Sequence, residues 1–134
     1  MEEAALRQLH LFDGFSRKQR RLLAVRAEEV QIPPGKVLCS KGETAHEFFV
    51  IEDGTARVVR DGQFLDVLGP GDFFGEMGLL EDAPRNADVV AETPMTVMVL
   101  SGPAFKELET EHPRFARKLS RRVEMRRQWL EPVS

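Results

Sequence analysis

EFFVIEDGTARVVRDGQFLDVLGPG, residues 47–71, is the stretch that decides the fold. It holds three short β-rich runs. The first two close on Asp53-Gly54 and Asp61-Gly62, residue pairs that readily take the positive backbone angles of a tight hairpin, and the third stops at Gly69-Pro70-Gly71. Upstream, Pro33-Pro34-Gly35 forms a turn that helices avoid and leads into KVLC (36–39); downstream, ADVVAET (87–93) and MTVMVLS (95–101) supply two more strands around Thr93-Pro94. Strands this short and this closely spaced predict a β-sandwich, jelly roll or small barrel.

Outside this block the period becomes helical. Residues 3–10 read as a short helix, and Ser16 is a natural N-cap for a second one carrying Leu22, Leu23 and Val25 on one face. After Pro103, one helix carries Phe105 and Leu108. Pro113 opens a longer one in which Phe115, Leu119, Val123 and Arg126 or Leu130 share a stripe.

Bulk properties narrow the function classes. At 134 residues, 42% hydrophobic and 31% charged, the chain has the composition of one folded domain rather than of a disordered segment. One cysteine, Cys39, excludes an intrachain disulfide and a cysteine metal cluster, which fits a reducing, cytoplasmic setting; in a strand it reads as buried packing. The acidic start MEEAALRQLH does not resemble a signal peptide, and no apolar run approaches the roughly 18 residues of a membrane span. His10, His46 and His112 lie far apart and read as surface residues, so no metal site is expected. The net charge of −3 is unevenly spread: residues 113–134 hold seven Arg or Lys against Glu124 and Glu131, a local +5 that leaves −8 for residues 1–112. The plain reading of that basic helix is a solvated face.

Chemistry concentrates in FFGEMGLLEDAPRNADVV, residues 73–90. Gly75 and Gly78 let the backbone turn sharply, and GEMGLL is long enough for one helical turn whose first N–H groups lack intrahelical partners and attract an anion. Arg85 adds a planar fork of donors suited to a phosphate. Glu76 would repel a bare phosphate, but a carboxylate is an acceptor well matched to a ribose hydroxyl. A ribose carrying a phosphate satisfies both groups. Taken singly, Arg85 could be a surface arginine and Glu76 a helix-start carboxylate; their spacing with the glycines favours a ligand site.

GDFFGEMGLLEDAPRNADV (71–89) resembles the phosphate-binding cassette of the cyclic-nucleotide-binding domain family, and IPPGKVLCSKGE, FFVIEDGTARV and LGPGDFFGE are similar to its successive β-roll segments. The resemblance implies a mainly β, jelly-roll-like β-roll with N-terminal helices (1–27), a roll over 28–100 containing a cassette at 72–89 with a short helix, and two C-terminal helices (101–131), all in one domain spanning 1–134. It implies that Glu76 binds the ribose 2′-hydroxyl, that Arg85 pairs with the cyclic phosphate, and that Gly75, Met77 and Gly78 lend backbone N–H groups, with Asn86 and Ala87 beside them. Arg122, Arg126 and Trp129, at helical spacing, are candidates for a lid over the purine. The implied function is a sensor module, not an enzyme, for cAMP ahead of cGMP, whose C-terminal helix moves on binding and offers a surface for a homodimer or an effector protein. No metal, membrane contact or specific DNA reading is expected.

Two positions depart from the family's habit: Asn86 follows the arginine where Ser, Thr or Ala is common, and Asp88 stands where Ser or Thr is common. Strand alternation puts Asp88 with Asn86 on one face and Arg85, Ala87 and Val89 on the other, leaving open which face meets the ligand. Two alternatives therefore stand beside the sensor: a degenerate roll serving interaction or dimerisation, and a fragment of a transcription regulator or channel.

Overall fold

A computed structural model of the chain describes residues 1–44, 46–76, 85 and 87–126. Helix α1 (Glu3–Arg7), a 3-10 turn (His10–Phe12) and α2 (Arg17–Arg26) lead into eight strands among the described residues: β1 (Glu28–Ile32), β2 (Val37–Cys39), β3 (Glu47–Asp53), β4 (Ala56–Arg60), β5 (Gln63–Leu68), β6 (Phe73–Phe74), β7 (Asp88–Ala91) and β8 (Met95–Ser101). Helices α3 (Gly102–Glu111) and α4 (Pro113–Arg126) follow. The expected order, helices then a β-roll then helices, is the order found. The first helix is shorter than the sequence suggests, because the chain tightens into the 3-10 turn after Leu9.

The strands form two antiparallel four-stranded sheets, β1-β8-β3-β6 and β2-β7-β4-β5. Their facing sides enclose one core, with Phe49, Ile51, Phe74, Val97 and Val99 from the first sheet and Cys39, Val58, Leu68, Ala87 and Val89 from the second and its leading edge. The outer side of the first sheet is also buried: Phe48, Val50, Phe73, Met98 and Leu100 pack under Leu6, Phe12, Phe105, Phe115 and Leu119 of the helical layer. Burial on both sides explains the unbroken apolar runs FFVI in β3 and VMVL in β8, whereas β4, with one face in solvent, alternates. Each apolar side chain so buried contributes about 1.5–3 kcal/mol.

Local chemistry fixes the helix ends. Ser16 Oγ accepts from Gln19 N at 3.1 Å while Gln19 Oε1 accepts from Ser16 N at 2.8 Å, a complete capping box for α2. Ser101 caps α3 and Pro113 opens α4, where its missing N–H costs nothing. The face expected for α2 is corrected. Leu23 and Ala24 point into the core, while Leu22 is 61% and Val25 85% exposed. One-turn periodicity could not separate two overlapping arcs on so short a helix. His112 is likewise not a plain surface residue, since its ring stacks on Phe15 with centroids 4.2 Å apart. No helix among the described residues is long and apolar enough to cross a membrane.

Candidate functional site

Strand β6 ends at Phe74, and the next two residues turn the chain toward the site. Gly75 has φ +93°, in the region glycine tolerates best. A Cβ there would stand 2.7 Å from the Glu47 carbonyl oxygen and 2.9 Å from Arg85 Nη1, so the position needs glycine for space as well as for angle. The close approach has a use: Arg85 Nη1 donates to the Gly75 carbonyl at 2.9 Å and Nη2 to the Glu47 carbonyl at 2.7 Å. The backbone of Arg85 is held as well, its N–H donating to Glu43 O at 2.7 Å and its carbonyl accepting from Gly42 N at 2.8 Å. Two carbonyls thus aim a guanidinium that is only 9% exposed, and they occupy only part of its five-donor fork.

Glu76, beside Gly75, is 1% exposed. Its Oε1 accepts from Arg126 Nη1 at 2.6 Å, an ion pair buried at both ends that joins the cassette to the last turn of α4. One turn earlier on that helix, Arg122 Nη2 lies 3.5 Å from Asp72 Oδ1. Both guanidiniums rest on the Phe73 ring, at 5.5 Å for Arg122 and 5.3 Å for Arg126. Helix α4 is therefore fastened along Asp72–Glu76 by two cations one turn apart, with Val123 between them entering the inter-sheet core.

Ala87 faces inward with Val89, while Asp88 faces out and accepts the Lys41 N–H at 2.6 Å. The second acid thus lies on the side of the strand away from Arg85's neighbours. Cys39, opposite Val89, lies on the inner side. Burial pushes its thiol up to about 12, Arg85 draws it down, and Glu76, Glu47 and Glu43 push it up, so the site's charges reach the roll interior.

Of the residues singled out from sequence, Gly75, Glu76, Arg85 and Ala87 converge here, and Arg122 and Arg126 reach the same place from α4. Met77, Gly78, Asn86 and Trp129 lie outside the described residues. Sequence reasoning missed the carbonyls of Glu47 and Glu43 and the carboxylate of Asp72. A main-chain acceptor leaves no mark in the side-chain pattern, and Asp72 stands at the head of the cassette with nothing in the sequence to assign it a partner. No group of His, Cys, Asp and Glu among the described residues could hold a metal.

The cyclic nucleotide-binding domain family matches residues 29–112, and the chain belongs to it. It is 34% identical over 110 residues to a cAMP-dependent protein kinase regulatory subunit of Pyricularia oryzae, an alignment covering 81% of this chain and 28% of that protein. The chain thus spans little more than a quarter of that relative's length. Among solved structures it resembles a cAMP-bound PfPKA-R (TM-score 0.86, 27% identity, 97% of this chain and 45% of that one). It also resembles the regulatory subunit of a cAMP-independent protein kinase A from Trypanosoma brucei (TM-score 0.81, 25% identity, 90% and 44%).

Proposed function

We propose that this chain is a cyclic nucleotide sensor, with cAMP preferred to cGMP, in which residues 1–134 act as one regulatory module without catalytic activity of its own. The observation that carries this reading is the aimed, nearly buried Arg85 beside the buried Glu76. A cyclic phosphate would dock on the Arg85 fork and on backbone N–H groups of Gly75, Met77 and Gly78, with Asn86 and Ala87 alongside; the ribose 2′-hydroxyl would donate to Glu76. The names of the kinase regulatory relatives support cAMP, and the Trypanosoma brucei protein makes a direct binding measurement necessary.

Regulation follows from the Glu76–Arg126 pair. A ligand that shares Glu76 alters what holds the end of α4, and the helix would pivot near residues 109–113, where His112 leaves helical geometry between α3 and α4. In this reading α4, carrying Arg122 and Arg126, together with Trp129 further along the chain, transmits binding to an effector protein or to a second copy, in the cytoplasm.

Calorimetric titration of the chain with cAMP and cGMP tests the reading, with Arg85→Ala as control. Micromolar or tighter binding is expected, and the variant should lose about 2–5 kcal/mol, because a desolvated phosphate is left without its partner. Equal affinity in the variant would refute the site. Silence from folded wild-type protein would favour the roll as an interaction domain.

A further inference from the structure

Leu22 and Val25 of α2 are left in solvent by the helical core, and neither belongs to the candidate site. Beside them runs a groove of about 590 Å³ between α2 and α3. Its floor is apolar, formed by the buried side chains of Leu23, Ala104 and Leu108, and Leu22 and Val25 stand along its α2 edge. An ion pair, Arg26 Nη1 to Glu107 Oε2 at 2.6 Å, ties the two walls together. Ridge and recess thus form one contiguous apolar patch, and a patch of that kind marks a contact surface.

Charge says what covers it. On α2, Lys18 lies one turn before Leu22 and Arg21 one turn before Val25, and both cations are exposed. On α3, Glu107 and Glu111 line the groove one turn apart. Lys18, Arg21 and Glu111 have no ion-pair partner among the described residues. The patch therefore holds a projecting ridge and a recess, and a cationic row and an acidic one. A two-fold axis brings each of these against its complement: the ridge of one copy enters the recess of the other, and α2 cations meet α3 acids twice. A foreign helix would have to supply this set from outside, whereas a second copy already carries all of it.

We infer that the α2–α3 face is a homodimer interface in which Leu22 and Val25 of each copy fill the groove of the other. The inference concerns the chain alone and does not rest on the cyclic-nucleotide reading. The patch is one helix pair wide, at the small end of specific interfaces, so association is reversible, with a Kd on the order of 100 μM.

The test is sedimentation equilibrium of the purified chain over concentrations that bracket this value, where wild type should follow a monomer–dimer curve. The double variant Leu22→Gln, Val25→Gln should raise Kd roughly thirtyfold. Its thermal midpoint in dilute solution should stay at the wild-type value, because both side chains already face water in the monomer. Phe64→Gln removes an apolar side chain that is 50% exposed on the second sheet, and should leave the curve unchanged. Glu111→Lys alone, and Lys18→Glu with Arg21→Glu, should each weaken association, while all three changes together should bring it back toward wild type. A chain that stays monomeric at the highest concentration, a curve insensitive to Leu22 and Val25, or charge losses that add in the triple variant would each overturn the inference. Dimers that only Phe64→Gln dissolves would place the interface on the second sheet and overturn it as well.

Discussion

Glu52, near the end of β3, has its Oε2 buried with no hydrogen-bond partner among the described residues, and Glu29 of β1 stands close by. Burial first, then contact and repulsion from Glu29, push its carboxyl up to about 7, with the amino terminus pulling weakly the other way. A carboxyl whose pKa is higher folded than unfolded holds a proton that unfolding releases. Its contribution to stability is therefore present below about pH 4.5 and is lost as pH rises toward about 7. Glu52→Gln should raise the thermal midpoint at pH 8 and change it less at pH 5; a gain that is the same at both values would show that Glu52 does not titrate in this window. Single residues also mark the limit of sequence reading. Gly75, Glu76 and Arg85 are conspicuous because type and spacing alone imply their chemistry. Asp88 is not, because its meaning lies in which way a strand faces.

Among the elements, α4 carries the largest consequence. Its Phe115 and Leu119 belong to the helical core, Val123 belongs to the inter-sheet core, and Arg126 closes on Glu76. Arg126→Met removes one half of a buried ion pair and leaves the other charge without that partner, which should cost about 3–5 kcal/mol. The loss should appear as a lower thermal midpoint together with faster hydrogen exchange over residues 115–126. Unchanged protection there would mean that packing alone holds the helix. The helix itself was legible in its apolar stripe, whose fourth position the pattern left open between Arg126 and Leu130 and of which Arg126 is buried, and the hairpins were legible in their Asp-Gly turns. The pairing of β8 between β1 and β3 was not, because it joins segments about fifty to seventy residues apart and no local turn specifies it. The α2 face failed for the opposite reason: local pattern was present, but the partners that decide which leucine is buried come from α1 and α3.

For the whole molecule, the candidate site lies at the junction of the two cores, so a ligand bound there should stabilise everything that meets at it. At a free cAMP concentration of 100 times Kd, mass action adds about 2.7 kcal/mol to unfolding, and the thermal midpoint should rise accordingly in wild type and not in Arg85→Ala. A rise of equal size in the variant would place the ligand elsewhere. The overall architecture could be anticipated because the two-sided burial of the first sheet is written as unbroken apolar runs and the one-sided burial of β4 as alternation. What joins the cores could not, since the Glu76–Arg126 contact spans fifty residues and neither side chain announces the other.

That contact also sets a rule for anything that meets the protein from outside. If a nucleotide loosens Arg126 from Glu76 by some factor, then a protein that grips the released helix must tighten nucleotide binding by the same factor, and one that clamps the docked helix must weaken it. The sensitivity of this switch would then not be a constant of the chain. The company α4 keeps would set it, and a nucleotide dose–response measured on the isolated domain would differ from one measured beside its partner.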